Sequence, residues 1–193
     1  KFALPEEKIV LFVGRLVYEK GVQILINAVP KVLSNVNAKF IIVGSGYMKE
    51  QLLNIVRSMG LEHKVLFEGF MDEPTLQKLQ RTADVSVVPS LFEPFGIVAL
   101  EAMAARSPVV ASDTGGLSEI IEHEKTGVKV YPNNPDSLAW GITRVLQDDG
   151  FARYIRDNAY RQVLTKYDWE KIAQQTKRIY EGVLGEYSKS FWA

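Results

Sequence analysis

The chain has 193 residues, enough for one well-buried core and short for two. Lys plus Arg and Asp plus Glu total 23 each, so net charge gives no argument for nucleic acid or an anionic membrane, and 47% hydrophobic with 24% charged residues describes a globular protein rather than a disordered one. The absence of Cys excludes a disulfide scaffold, a thiolate metal site and a cysteine nucleophile, and His63 and His123 are too few for a histidine-rich metal site.

The opening residues, Lys1 to Lys8, lack the apolar core of a signal peptide and carry no initiator Met, so the chain reads as an excised piece. No apolar run approaches the ~18 residues of a transmembrane segment. Together these features point to a cytoplasmic protein. Apolar, mostly β-branched runs then recur: Ile9–Val13, Phe40–Val43, Val65–Phe67, Val85–Val88, Pro108–Ala111 and Val128–Val130. Most do not alternate with polar residues, so both faces need cover, as crossover helices give a parallel sheet. Between them lie one-faced helical stretches, one with Val22, Leu25, Ile26, Val29 and Val32 in step, another with Met48, Leu52, Ile55, Val56 and Met59. Pro30 should kink the first or shift its start.

Beyond Pro132 only helices follow. Asp136 is the expected N-cap of one, a second runs from Phe151 to Tyr167, and Asp168 caps a last one from Trp169 to about Tyr187. The tail with Phe191 and Trp192 is apolar for an end that should fray, so it either packs back or covers another domain. The fold predicted is α/β: a Rossmann-like open parallel sheet of about six strands, helices on both faces and a helical C-terminal extension.

Ligands of such a sheet collect beyond the C-terminal strand ends. After the first strand, Gly14-Arg15-Leu16-Val17-Tyr18-Glu19-Lys20-Gly21 can cradle an anion between Arg15 and Lys20, or can be an ordinary turn with solvated charges; it is not a P-loop. Gly44-Ser45-Gly46 permits close backbone approach, which a tight turn explains equally well. Phe70, in Glu68-Gly69-Phe70-Met71-Asp72, reads by itself as a core residue. Between Pro89 and Met103, Pro94 and Gly96 oppose a helix, so one should begin near Gly96 and run through Ala105. The free N–H groups of Gly96, Ile97 and Val98 then form an anion site at the positive end of the helix dipole. Glu101, inside the helix, is placed for a vicinal diol such as ribose, and Glu93 for whatever lies beyond the phosphate. Two carboxylates also suit a glycoside hydrolase, but that chemistry does not need Arg15 and Lys20, whereas a phosphate leaving group does.

Glu93 and Glu101, eight residues apart within Phe92-Glu93-Pro94-Phe95-Gly96-Ile97-Val98-Ala99-Leu100-Glu101-Ala102-Met103, resemble the E-x7-E motif of family 4 retaining glycosyltransferases. Gly14-Arg15-Leu16 with Glu19-Lys20-Gly21 resembles their phosphate loop, Asp113-Thr114-Gly115-Gly116-Leu117 with Glu119 their glycine-pair loop, and Thr126-Gly127 the dipeptide before their last strand. The resemblance covers nearly the whole chain. It implies the GT-B fold, two Rossmann-like domains facing a cleft, with residues 1–193 as the single nucleotide-sugar-binding C-terminal domain and the N-terminal acceptor domain absent.

It further implies Arg15 and Lys20 on the diphosphate, Ile97 and Val98 N–H groups on phosphate or sugar, Glu101 on the ribose and Glu93 on the donor sugar. Backbone of Phe70 and Met71 would meet the base, Thr114, Gly115 and Gly116 would line the phosphate or sugar side, and Gly14 and Gly44 complete the donor-facing set. The activity implied is glycosyl transfer with retention onto an acceptor hydroxyl of a sugar or glucan, without cofactor or metal, UDP- or ADP-glucose being the favoured donor. A non-catalytic nucleotide-binding module and a sugar-nucleotide epimerase are the alternatives. Where the family carries Gly at the end of the Glu101 helix, this chain has Arg106, which implies either a non-glycine left-handed cap or a different helix end. His63 and His123 read as solvated turn residues.

Overall fold

The computed structural model describes residues 2–189. Six strands, β1 (Lys8–Val13), β2 (Ala38–Val43), β3 (Val65–Gly69), β4 (Val85–Val88), β5 (Val109–Ser112) and β6 (Val128–Val130), pair in parallel in the order β3-β2-β1-β4-β5-β6. The helices are α1 (Val22–Leu33), α2 (Lys49–Ser58), α3 (Glu73–Thr82), α4 (Ile97–Ala104), α5 (Gly115–Ile120), α6 (Pro135–Gln147), α7 (Asp149–Lys166) and α8 (Trp169–Tyr187). The chain order of the sheet reverses between β1 and β4, and this reversal opens a crevice at their C-terminal ends.

Alternate strand residues go to opposite faces. Val10, Phe12, Phe40, Ile42, Val85 and Val87 pack against α1, α2 and α6. Leu11, Ile41 and Val43 face α3, and Val88, Val109 and Ala111 face α4 and α5. This two-sided cover is why the strands lack polar alternation, and fully buried side chains such as Phe40 each contribute about 2–3 kcal/mol of transfer free energy.

The helix ends follow local chemistry, with corrections to the expected boundaries. α1 begins at Val22 as the apolar spacing suggests and runs on through Pro30, which stands exposed in the last turn, and the Pro30 carbonyl accepts from Ser34 N–H at 3.0 Å. The N-cap of α6 is Asn134, not Asp136: Pro135 takes the first helical position, where no N–H is needed, and Asn134 Oδ1 accepts from Ser137 N–H at 2.9 Å. Asp136 instead pairs with Lys31 at 3.0 Å. α7 begins at Asp149, with Asp148 as cap. Asp168 caps α8 as expected, accepting from Glu170 and Lys171 N–H.

Arg106 adopts φ 59, and the N–H groups of Arg106 and Ser107 close on Met103 and Ala102 carbonyls at 3.1 and 2.9 Å. This is a Schellman closure with arginine in the glycine position, a substitution that costs about 1 kcal/mol. Its guanidinium lies 4.1 Å from the Tyr160 ring centroid. α8 buries none of its residues, and Trp169, Tyr180 and Leu184 leave an apolar stripe open. Phe191 and Trp192 lie outside the described residues, and no helix among the described residues is long and apolar enough to cross a membrane.

Candidate functional site

The sheet reversal makes the loops leaving β1 and β4 neighbours, and backbone groups join them. Leu91 and Phe92 N–H donate to Glu19 carbonyl at 2.8 and 3.4 Å, and Gly116 N–H donates to Glu93 carbonyl at 2.9 Å, which adds the loop after β5. Gly21 (φ 69) closes a short 3-10 turn at Tyr18–Lys20, and a Cβ there would run into the Pro89 carbonyl oxygen. Gly115 (φ 49) approaches the Glu93 carbonyl just as closely. Both positions therefore need glycine for conformation and for space.

Within this frame Lys20 Nζ lies 2.5 Å from Glu93 Oε2, which also accepts from Ser90 Oγ at 3.1 Å. The Glu93 residue is 8% exposed, so the pair is largely removed from water. The Lys20 ammonium retains further N–H donors, and Glu93 Oε1 has no protein hydrogen-bond partner among the described residues. Arg15 is exposed and makes no ion pair or hydrogen bond among the described residues. Gly96 (φ 109) caps α4 without a side-chain bond, and the Ile97 and Val98 N–H groups have no acceptor among the described residues. The shared cation Lys20 and the bare N-terminus of α4 thus stand on loops that the sheet reversal makes neighbours, with the free cation Arg15 on the same β1 loop as Lys20.

Gly14, Arg15, Gly44, Phe70 and Met71 line one cavity of about 290 Å³ at the ends of β1, β2 and β3. Phe70 corrects the core reading: it is 88% exposed, on the loop that leaves the edge strand β3. The backbone N–H and C=O groups of Phe70 and Met71 have no partner among the described residues. Glu101 lines a separate groove of about 300 Å³ with Glu73 and Gln80, between α3 and α4, and Leu76 is the wall common to both. Partial burial, then the nearby Glu73 carboxylate, pushes the Glu101 carboxyl above its usual range. Glu93 lines neither cavity.

Other expected contacts are already engaged within the protein. Gly116 N–H is held by Glu93, and Thr114 Oγ1 lies 3.4 Å from the Leu91 carbonyl oxygen, so of the glycine pair only Gly115 offers a free N–H among the described residues. Gly46 packs its backbone on Leu16, a tight-turn role. His123 Nδ1 accepts from Lys129 N–H at 3.0 Å, and both histidines are exposed. Sequence reasoning passed over Ser90 and α3. Ser90 stands three residues before Glu93 in the same loop, and Asp72 followed by Leu76 and Leu79 is a capped one-faced helix signal; Asp72 accepts from Thr75 N–H at 3.0 Å.

A family profile described as "Glycosyl transferases group 1" matches residues 1–162. An uncharacterized glycosyltransferase of Methanocaldococcus jannaschii is 55% identical over 176 residues, covering 91% of this chain and 45% of that protein. Glycogen synthase of Mycobacterium tuberculosis is 40% identical over 172 residues, covering 88% and 41%. Among solved structures, sucrose-phosphate synthase from Thermosynechococcus elongatus superposes with a TM-score of 0.86 at 36% identity, covering 95% of this chain and 47% of that one. Anabaena Alr3699/HepE in complex with UDP and glucose does so at 0.83 and 30%, covering 92% and 49%. The chain thus spans about half the length of the proteins it matches.

Proposed function

The chain belongs to the group 1 glycosyltransferases, and from that premise we propose that it is the donor-binding part of a transferase that moves a hexosyl group from a nucleoside diphosphate to an acceptor hydroxyl with retention. The observation that carries this reading is the Lys20–Glu93 pair, held by three joined loops beside the uncapped N-terminus of α4. Arg15, Lys20 and the Ile97 and Val98 N–H groups take the diphosphate. Phe70 and Met71 receive the base, Glu101 the ribose hydroxyls, and Glu93, through its free Oε1, a hydroxyl of the donor sugar.

As the bond from the anomeric carbon to the diphosphate stretches, negative charge grows on phosphate oxygens. Cations and N–H groups already in place stabilise it, and loss of one such donor costs ~10²–10³ in rate. On this reading Glu93 keeps Lys20 oriented with ammonium N–H donors left for phosphate oxygens, and Arg15 and the N-terminus of α4 supply the positive charge that the carboxylate offsets at Lys20. Donor chemistry of this kind requires no metal. The likeness to the Anabaena structure in complex with UDP and glucose supports UDP-glucose as donor, with ADP-glucose as the other candidate. The acceptor, a sugar or glucan, would be held by the half of the relatives' length that this chain does not span, and the open stripe of α8 is available to that half.

Calorimetric titration of the chain with UDP, ADP and GDP, with and without EDTA, tests the assignment. Binding of at least one nucleotide, unchanged by EDTA, is expected. No heat at millimolar nucleotide would remove the donor-site reading, and a requirement for metal would remove the metal-free one.

A further inference from the structure

At the opposite end of the sheet, where β1, β4 and β5 begin, lies a further concavity of about 330 Å³. Lys8, Arg81, Arg106, Arg153 and Arg156 line it against two carboxylates, Asp84 and Asp149, an excess of positive charge in a chain whose sum is zero. Both carboxylates are taken by Lys8, at 3.2 and 3.5 Å, and Asp84 also accepts from Ile9 N–H at 2.8 Å. Arg156 pairs with Asp157 at 3.1 Å. Arg81 and Arg153 have no ion pair or hydrogen bond among the described residues, and Arg106 lays its guanidinium face on Tyr160 while its charge also acts on the Asp157 carboxylate.

Helix dipoles account for part of this arrangement and not for the rest. Arg81 stands in the last turn of α3 and Arg106 directly follows α4, where helix carbonyls attract cations. Arg153 and Arg156 come from the N-terminal half of α7, where the dipole gives no such reason. Arg106 also holds its place at φ 59, where glycine would be unstrained. Four guanidinium groups, from α3, α7 and the turn after α4, thus line one hollow; its two lining acids are held by Lys8 and compensate none of them, and Arg156 alone is paired, with Asp157 outside the lining.

We propose that this basin is a binding site for a small phosphoryl-bearing molecule, separate from the donor crevice and about 20 Å from it along the six residues of β1 at ~3.3 Å per residue. Guanidinium forks match phosphate oxygens two at a time, and a hollow of this volume suits a phosphorylated metabolite or free phosphate rather than a flat macromolecular surface.

The test is a ¹⁵N-HSQC titration of the chain at low salt with inorganic phosphate, pyrophosphate and glucose 1-phosphate in separate arms. Saturable shifts are expected at Lys8, Thr82, Asp84 and Ala152 amides, with R81Q/R153Q weakening the affinity at least tenfold and R15A leaving it unchanged. Tighter binding of glucose 1-phosphate than of inorganic phosphate identifies a metabolite as the occupant, and the reverse identifies a free phosphate. Shifts confined to the donor loops, or shifts at the basin unaltered in an R81Q/R153Q protein that keeps the wild-type melting curve, would overturn the proposal.

Discussion

The two ends of the sheet solve opposite problems. At the C-terminal ends of β1, β4 and β5, loops are joined to one another by backbone hydrogen bonds, glycines let them touch, and the Lys20–Glu93 pair is shielded from water. At the N-terminal ends the helices terminate, long cationic side chains gather, and two of the arginines remain unpaired among the described residues. The first end is positioned by backbone and tolerates little change. The second is positioned by side chains on the surface, where substitutions are cheap.

The largest break in that contrast should come from Gly115→Val. It places a Cβ against the Glu93 carbonyl at a left-handed φ, and we expect a loss of about 3 kcal/mol in urea denaturation, together with nucleotide binding. Glu93→Ala leaves the Lys20 ammonium without its carboxylate; about 2 kcal/mol should be lost, and a Lys20→Met/Glu93→Leu double variant should recover part of it. Losses of Lys20→Met and Glu93→Leu measured singly that simply add up to the loss of the double variant would show that the charges do not interact. Arg15→Ala, at an exposed unpaired residue, should leave the melt unchanged while weakening nucleoside diphosphate binding about tenfold, or ~1.4 kcal/mol.

Glu101→Gln separates stability from binding. The folded protein holds the Glu101 proton to higher pH than the unfolded chain does, so this residue's contribution to stability falls as pH rises through the raised folded value. The Gln variant should therefore melt slightly above wild type at neutral pH, with the gap closing as pH is lowered into the carboxylate range, while its nucleotide affinity drops. The smallest effect is expected at the other end of the sheet. Arg106→Gly relieves the left-handed strain but loses the Tyr160 contact, terms of about 1 kcal/mol each and of opposite sign, so its stability should stay within ~0.5 kcal/mol of wild type. A larger shift in thermal denaturation would mean that the basin is structural.

Much of the fold was legible because its signals are local. The six apolar runs became the six strands, and Gly96 after Pro94 set the start of α4, since one residue's φ and one missing N–H decide it. Boundaries failed where two local signals competed. Asn134 and Asp136 are both good caps, and Pro135 between them decides for Asn134. Phe70 misled because an aromatic ring reads as core unless its strand lies at an edge, and edge position belongs to the order of strands.

The sequence by itself determined which residue types stand at the end of each strand: a cation-bearing loop, a glycine pair, and two carboxylates around a helix start. Only the tertiary structure decided that Lys20 meets Glu93 across a sequence separation of 73, that the Glu93 carbonyl engages Gly116 N–H, and that Glu101 faces a different groove from Arg15. It alone gathered Arg81, Arg106 and Arg153 from three elements into one hollow. The physical reason is range. Periodicity, caps and left-handed turns are settled within a few residues of chain, whereas the meeting of distant charges depends on which strands lie side by side, and that order is set by burying both faces of the sheet at once.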